Sequence, residues 1–385
     1  MKNYYLLSNG RIRREQNTLS IETEQGGKRF LPIEDIESIF AFGEVDLNSK
    51  FLVYLAQNHI PMHFFNYYGF YSGSYYPREY LHSGHLLVHQ VEHYLKPDQR
   101  MELAREFVRG AAHSIERTTA YYASRRKNEE EPQGDIIPSD TLTSNMPTDE
   151  QEEAEIDSTA RFDQTDVIDE FESRLIIEDD LPASLSEIII GMKELAKRIG
   201  GQLDPNSLRG IEGKIREQYY QSWGIILRGE WEFARRVRRP PDNEVNALIS
   251  FGNSVLYTVC LSEIYRTQLN PTISYLHEPG SRRFSLALDI SEIFKPIIVD
   301  RAIFRLLNTE QLKRSHFDTT LNGCYLAEEG RRLFLGALEE RLSTTIYHRR
   351  LGRHVTYRRL IRLECYKLIR HLTGVESYRA FRAWW

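Results

Sequence analysis

Pro97-Asp98-Gln99-Arg100-Met101-Glu102-Leu103-Ala104-Arg105-Glu106-Phe107-Val108 opens a long helix in a pattern that turns helical from His82 onward. Proline is tolerated in the first turn of a helix, where its missing N–H forfeits no intrahelical bond. The sequence from Pro97 therefore predicts a helix running to about Arg126. Upstream the reading is β. Residues 4–8, then Asn9-Gly10, then Ile12 and Arg13 predict a hairpin, because Asn-Gly accepts the positive φ of a tight turn. Residues 19–24 alternate apolar and polar, Gly26-Gly27 turns the chain, and residues 29–33 follow as a strand. Residues 36–42, 61–66 and 70–76 complete a small, aromatic-rich sheet, with a short helix at 49–58. This is an expected N-terminal β domain over residues 1–80, structural or dimer-forming, since no chemical cluster falls in it.

Downstream the pattern stays helical. Ser184-Leu185-Ser186-Glu187 reads as a capping box opening a helix that ends near Gly200. Residues 204–223, 243–268, 288–308, 328–346 and 357–372 keep apolar side chains at spacings of three and four. The expected fold class is α+β: a small N-terminal β-sheet domain, then a larger all-helical catalytic domain over residues 81–385.

One stretch interrupts the helices. Residues 129–180 hold 19 Asp or Glu against Arg161 and Arg174, a net charge of -17. The whole chain is -5, so the remainder carries +12, as a protein that neutralises phosphates would. The acidic stretch has too few apolar groups to offset its ordering entropy, and it reads as a disordered or loosely helical insertion. Residues 162–177 are its one candidate amphipathic helix, and a solvated loop or a nucleic-acid mimic are the readings of the whole. The three cysteines form no CxxC pair, which excludes a zinc ribbon or a disulfide framework. No stretch is expected to offer the ~20 apolar residues of a membrane span, and Met1-Lys2-Asn3-Tyr4 opens no secretory signal. A prokaryotic cytoplasmic setting without a membrane is the expectation.

Four residues stand out chemically. Glu212 lies in Leu208-Arg209-Gly210-Ile211-Glu212-Gly213. Each helical glycine there costs roughly 1 kcal/mol against alanine, so a close approach by another backbone is expected. His277 follows a β-like run, residues 272–276, and precedes Glu278-Pro279-Gly280. It lacks the second histidine of a zinc-protease helix. Asp289 and Glu292, at i and i+3, share one helix face inside the apolar run 284–294. Divalent metal or arginine partners would each explain such carboxylates. Singly, Glu212 reads equally as a solvated side chain and His277 as a turn residue. Together the set suits a hard cation, Mg²⁺ or Mn²⁺, acting on a phosphodiester. Arg235, Arg236, Arg238 and Arg239, just before Pro240-Pro241 and the N-cap pair Asp242-Asn243, form a basic element suited to phosphate or to a solvated loop. No P-loop or nucleophile elbow is present.

In this order the features resemble the CRISPR-associated integrase family of spacer acquisition, CRISPR-associated protein one. The resemblance is carried by Ile60-Pro61-Met62-His63-Phe64-Phe65-Asn66 and Gly69-Phe70-Tyr71 in the β domain, and by Leu208 to Gly213. Asp242-Asn243-Glu244-Val245-Asn246-Ala247-Leu248-Ile249-Ser250, His277 and Leu288-Asp289-Ile290-Ser291-Glu292 complete it. The resemblance implies that Glu212, His277 and Glu292 hold Mg²⁺ or Mn²⁺, with Asp289 sharing or replacing a role. It implies transesterification, a prespacer 3′-hydroxyl attacking a phosphodiester at the repeat boundary. It implies Arg209 and the arginine run on DNA, and as partners double-stranded DNA (prespacer and CRISPR repeat), a homodimer mate and the small ferredoxin-like CRISPR-associated protein two. Two departures accompany it. Many members carry Asp where this chain has Glu292, and the acidic stretch has no counterpart in the family's compact form. A metal-dependent nuclease on branched DNA and a nonenzymatic DNA-binding scaffold remain the alternatives.

Overall fold

β1 (Lys2–Leu6) leads through Asn9 into β2 (Gly10–Glu15), but the two strands do not pair. This corrects the expected hairpin. A Cβ on Gly10 would lie 2.3 Å from the Glu22 carbonyl oxygen, so this glycine answers a close approach between strands rather than a two-residue turn. β2 pairs antiparallel with β3 (Thr18–Thr23), and β3 with β4 (Lys28–Pro32). β1 runs instead parallel to β5 (Ile36–Ala41). β6 (Val45–Asp46) edges β2; after α1 (Ser49–Gln57), β7 (Met62–Phe65) lies parallel to β5 and β8 (Tyr71–Tyr75) antiparallel to β7. The β region thus holds two four-stranded sheets, β4-β3-β2-β6 and β1-β5-β7-β8, not one. The computed structural model describes residues 2–24, 26–77, 81, 83–130, 183–238, 240–279, 284–320 and 323–384. The acidic stretch from residue 131, its candidate helix at 162–177, and Arg239 lie outside the described residues.

All six residues of β5 are buried, because the strand faces two cores. Ile39 and Ala41 pack with Ile12, Leu19 and Phe51 among the sheets, whereas Phe40 joins the core of the helical region. Glu37 on the same strand is held at 3.0 Å by Arg358 and at 2.8 Å by Arg362, with Arg266 Nε at 3.7 Å.

The helical region runs α2 (Gly84–Leu95), α3 (Pro97–Glu130), α4 (Ala183–Lys197), α5 (Pro205–Ile226), α6 (Glu244–Tyr265) and α7 (Ser285–Lys295). The Asp204 carboxylate caps α5 by accepting from the N–H groups of Asn206 and Ser207, and Asn243 caps α6 through Asn246. The expected helix 288–308 is divided. α7 passes through a wide π turn, Pro296–Asp300, into α8 (Arg301–Asn308), since Pro296 has no N–H to continue the ladder. The region is mostly rather than wholly helical. β9 (Phe317–Thr320) pairs with β10 (Gly323–Leu326) before α9 (Glu328–Ser343). β11 (Thr345–His348) pairs with β12 (Arg353–Thr356) before α10 (Tyr357–Leu372), so the helix expected to reach residue 346 stops at Ser343.

By length and composition α6 would cross a membrane, contrary to the expectation that no stretch would. Its apolar residues are buried in the molecule's own core instead. α6 packs closely there. A Cβ on Gly252 would lie 2.5 Å from Val299 Cγ1 and 2.8 Å from Phe334 Cζ. Gly252→Val is therefore expected to overpack this crossing and cost about 1–3 kcal/mol, read as a lower urea midpoint at unchanged slope.

Candidate functional site

α3 packs against both α5 and α7, and this brings the two acidic helices to one centre. Glu212 stands on α5, with Arg216 one turn later on the same face. Arg216 Nη2 lies 3.5 Å from Glu212 Oε1 and hydrogen-bonds Glu292 Oε2 on α7. Lys295, one turn beyond Glu292, donates to the other oxygen, Oε1. Two carboxylates thus face two cations in a setting only 10–15% exposed.

The pair titrates unequally. Burial pushes Glu292 up, but Arg216 and then Lys295 outweigh it and hold the carboxyl down at about 2. Glu212 is raised by burial first and then by the negative charge of Glu292, against the opposing pull of Arg216 and His277. Arg216 therefore serves chiefly Glu292, and Glu212 is the carboxylate short of positive charge.

His277 enters from the loop before α7. The carboxylate of Asp289, wholly buried, gathers that loop. Its Oδ2 accepts the N–H groups of Tyr275 at 2.8 Å and Leu276 at 3.0 Å. Its Oδ1 takes the His277 N–H at 3.1 Å and meets His277 Nδ1 at 2.7 Å. Residues 272–276 are consequently turns and bends, not the β run expected from their sequence. Burial opposes protonation of His277, but the Asp289 hydrogen bond and charge, then Glu292 and Glu212, outweigh it and raise the imidazole. With Nδ1 committed to Asp289, Nε2 is the nitrogen left for a ligand.

The structure brings Glu212, His277 and Glu292 within electrostatic reach of one another. Asp289 differs from the role of a direct ligand: both its oxygens are taken by four donors and it has no exposed surface. Among the described residues no three His, Cys, Asp or Glu side chains stand close enough to hold a metal ion as they are. Glu212 and Glu292 are turned onto Arg216 and Lys295 instead. Two carboxylates and an imidazole nitrogen nevertheless match a hard divalent cation in donor type, and Glu212 has charge to share. The expected close approach at Gly210 and Gly213 is not made within the chain. A Cβ at either would meet nothing within 4 Å, so this face of α5 is open.

The arginines divide. Arg235 and Arg238 are exposed. Arg236 is withdrawn from phosphate binding: it donates to Asn246 Oδ1 at 2.9 Å and Ser250 Oγ at 2.8 Å, tying its loop to α6. Arg209 is half-buried and hydrogen-bonds Asn206. Arg216, Lys295 and the buried Asp300 were missed by sequence reasoning. Arg216 is four residues from Glu212 and Lys295 three from Glu292, spacings that mark both as partners. Asp300, pushed up to about 7 by burial, accepts the Tyr219 hydroxyl at 3.0 Å behind Arg216.

Comparison with known proteins supplies the family. The model of the family described as CRISPR associated protein Cas1 matches residues 4–155 and 162–340. The "CRISPR-associated endonuclease Cas1 3" of Thermodesulfovibrio yellowstonii is 44% identical over 385 residues, spanning 100% of both chains. The "CRISPR-associated endonuclease Cas1 2" of Moorella thermoacetica is 46% identical over the same span. Among solved structures, a Cas1 protein from Thermotoga maritima superposes with a TM-score of 0.74 at 35% identity, covering 99% of this chain and 100% of that one. A casposase bound to its integration product matches with a TM-score of 0.75 at 16% identity, over 99% of this chain and 93% of that one, a likeness of fold alone. Because the alignments run the whole length, the acidic stretch lies inside the aligned span, and only 156–161 of it escape the family model. These relatives therefore carry a segment of comparable length opposite it. Matched by the family model over most of its length and by full-length relatives over all of it, the chain belongs to the CRISPR-associated protein Cas1 family.

Proposed function

We propose that this protein is a metal-dependent DNA integrase and endonuclease of CRISPR adaptation, joining prespacer 3′-hydroxyl ends to the repeat phosphodiester. The observation that carries the reading is the meeting of Glu212, Glu292 and an Asp289-locked His277 at one buried centre. Two relatives named as endonucleases, and the fold shared with a casposase bound to an integration product, support it.

Glu212, Glu292 and His277 Nε2 would hold Mg²⁺ or Mn²⁺, which polarises a scissile phosphate and stabilises the charge of its transition state. Asp289 fixes the imidazole so that Nε2 and not Nδ1 faces the centre. Arg216 and Lys295, released from the carboxylates, are placed to meet phosphate oxygens. The open face at Gly210 and Gly213 admits a DNA backbone, and exposed Arg235 and Arg238 position it without reading sequence. The implied partners are a second copy of the chain and the small CRISPR-associated protein two, in line with a neighbour of the same fold solved as a Cas6-RT-Cas1–Cas2 complex.

The test is strand transfer. Labelled duplex with free 3′-hydroxyls is mixed with supercoiled plasmid and Mn²⁺, with and without the companion subunit and with chelator. Joined products that vanish with chelator support integration. Cutting without joining favours the nuclease. DNA binding alone, indifferent to chelator, leaves a scaffold. Asp289→Asn, which keeps the shape but removes the charge that orders His277, is expected to lower joining by about 10–100-fold. Unchanged joining would refute the role given to Asp289.

A further inference from the structure

At the far end of α5 from Glu212 a cavity of about 340 Å³ opens between α3, α5, α8 and α9. Among the described residues five arginines line it, Arg125, Arg228, Arg301, Arg305 and Arg341, against one carboxylate, Glu340. Glu340 pairs at 2.7 Å with Arg305, and the described lining carries more positive than negative charge. Two tyrosines form the wall. The Arg301 guanidinium lies over the Tyr121 ring, 4.2 Å from its centroid, and Arg125 donates to the Tyr121 hydroxyl at 2.9 Å. Tyr122 meets Phe304 edge-on at 4.8 Å and is thereby fixed in place. Arg341 is anchored by the Ile297 carbonyl at 2.9 Å and the Tyr357 hydroxyl at 2.7 Å.

Like charges gathered in one cavity favour an anion between them. Burial first, and then the charge of Arg301, pulls Arg341 down to about 10, the sign of a guanidinium crowded by its own kind. None of these contacts serves the centre around Glu212. Fourteen residues of α5 separate Glu212 from Ile226 at the cavity, about 20 Å at 1.5 Å per residue. The volume suits one small ligand. Guanidinium forks recognise phosphate oxygens in pairs, and tyrosine rings and guanidinium planes stack on bases.

We propose that the cavity lined by Arg125, Arg301, Arg341, Tyr121 and Tyr122 is a binding site for a nucleotide unit, a phosphate ester carrying a planar base. Its source is a DNA strand running on from the catalytic centre, about six stacked nucleotides away at 3.4 Å each, or a free nucleotide. The strand source rests on the function proposed above; the free-nucleotide source does not.

The test measures binding of thymidine 5′-monophosphate, inorganic phosphate and fluorescent oligo(dT) to the full chain, by calorimetry and anisotropy. The variants are Arg301→Ala and Arg125→Ala, with Glu212→Gln as the centre's control and thermal melts to show that each folds. Binding of either thymidine probe that weakens about tenfold in Arg301→Ala, and survives in Glu212→Gln, is the expected result. For oligo(dT) the salt slope should also fall by about one charge. Weakening with oligo(dT) alone identifies the strand as the source. Monophosphate binding without oligo(dT) binding leaves the site standing and removes the DNA reading. Equal binding of inorganic phosphate, or equal competition by an oligoglutamate peptide, overturns the proposal in favour of a general anion surface. Affinity unchanged in both arginine variants overturns it outright.

Discussion

Glu212→Gln protein is expected to join DNA about 1,000-fold more slowly than the unaltered chain while folding at least as stably. The two halves of that result have one cause. Glu212 is buried near Glu292, and Arg216 is bound chiefly to the latter. As a carboxylate buried beside Glu292, Glu212 destabilises the centre and draws positive charge to it. A glutamine of the same shape removes the repulsion and the attraction together. A strand-transfer gel reads the loss, and a thermal melt reads the preserved or raised midpoint. Joining within tenfold of the unaltered protein would remove Glu212 from the centre. A lowered melting point would mean that its charge is satisfied by something other than a metal.

Glu37→Ala is expected to cost about 3–5 kcal/mol, the penalty for stranding buried cations without their counter-charge. Glu37 is 8% exposed and answers Arg266, Arg358 and Arg362 at once. Burial raises its carboxyl, but Arg266, Arg358 and Arg362 together outweigh that and set it below the ordinary range. A carboxyl lowered in the folded state stabilises fully above the unfolded value of about 4.3 and loses that stability as pH falls through its folded value. Urea melts of both proteins should therefore differ most at neutral pH and converge in acid. A neutral-pH difference under about 1 kcal/mol would show that the network is no keystone.

The helices were legible because their signals are local: Asp204 and Asn243 cap α5 and α6 where the sequence places them. The strand partners were not, because pairing is set by tertiary packing. Asn9-Gly10 has the chemistry of a hairpin, yet β1 gains more by lying beside β5, whose two faces serve two cores. The hairpins β9–β10 and β11–β12 were hidden by neighbouring helix patterns, although Gly352 at φ +63 marks the second turn. Within the site, Glu212, His277 and Glu292 were singled out by their order along the chain and the resemblance it carries, and the structure brings them within electrostatic reach of one another. The i, i+3 spacing of Asp289 and Glu292 placed both on α7 but could not tell that Asp289 turns to the backbone of residues 275–277. Nor did the arginine run reveal that Arg236 is spent on Asn246 and Ser250.

The Glu37 cluster also bears on the order in which the molecule is made. Two of its three counter-ions lie very late in the chain: Arg358 is 321 residues beyond Glu37 and Arg362 is 325 beyond it. At roughly 5–20 residues per second, a ribosome needs about 15–60 s to supply them. Until then Glu37 has no guanidinium partner from α10, and Phe40, Phe42 and Phe65 lack part of the helical core that covers them. The strand that carries Glu37 is therefore made long before its full set of counter-ions, with Arg266 arriving ahead of α10 and Arg358 and Arg362 only with it.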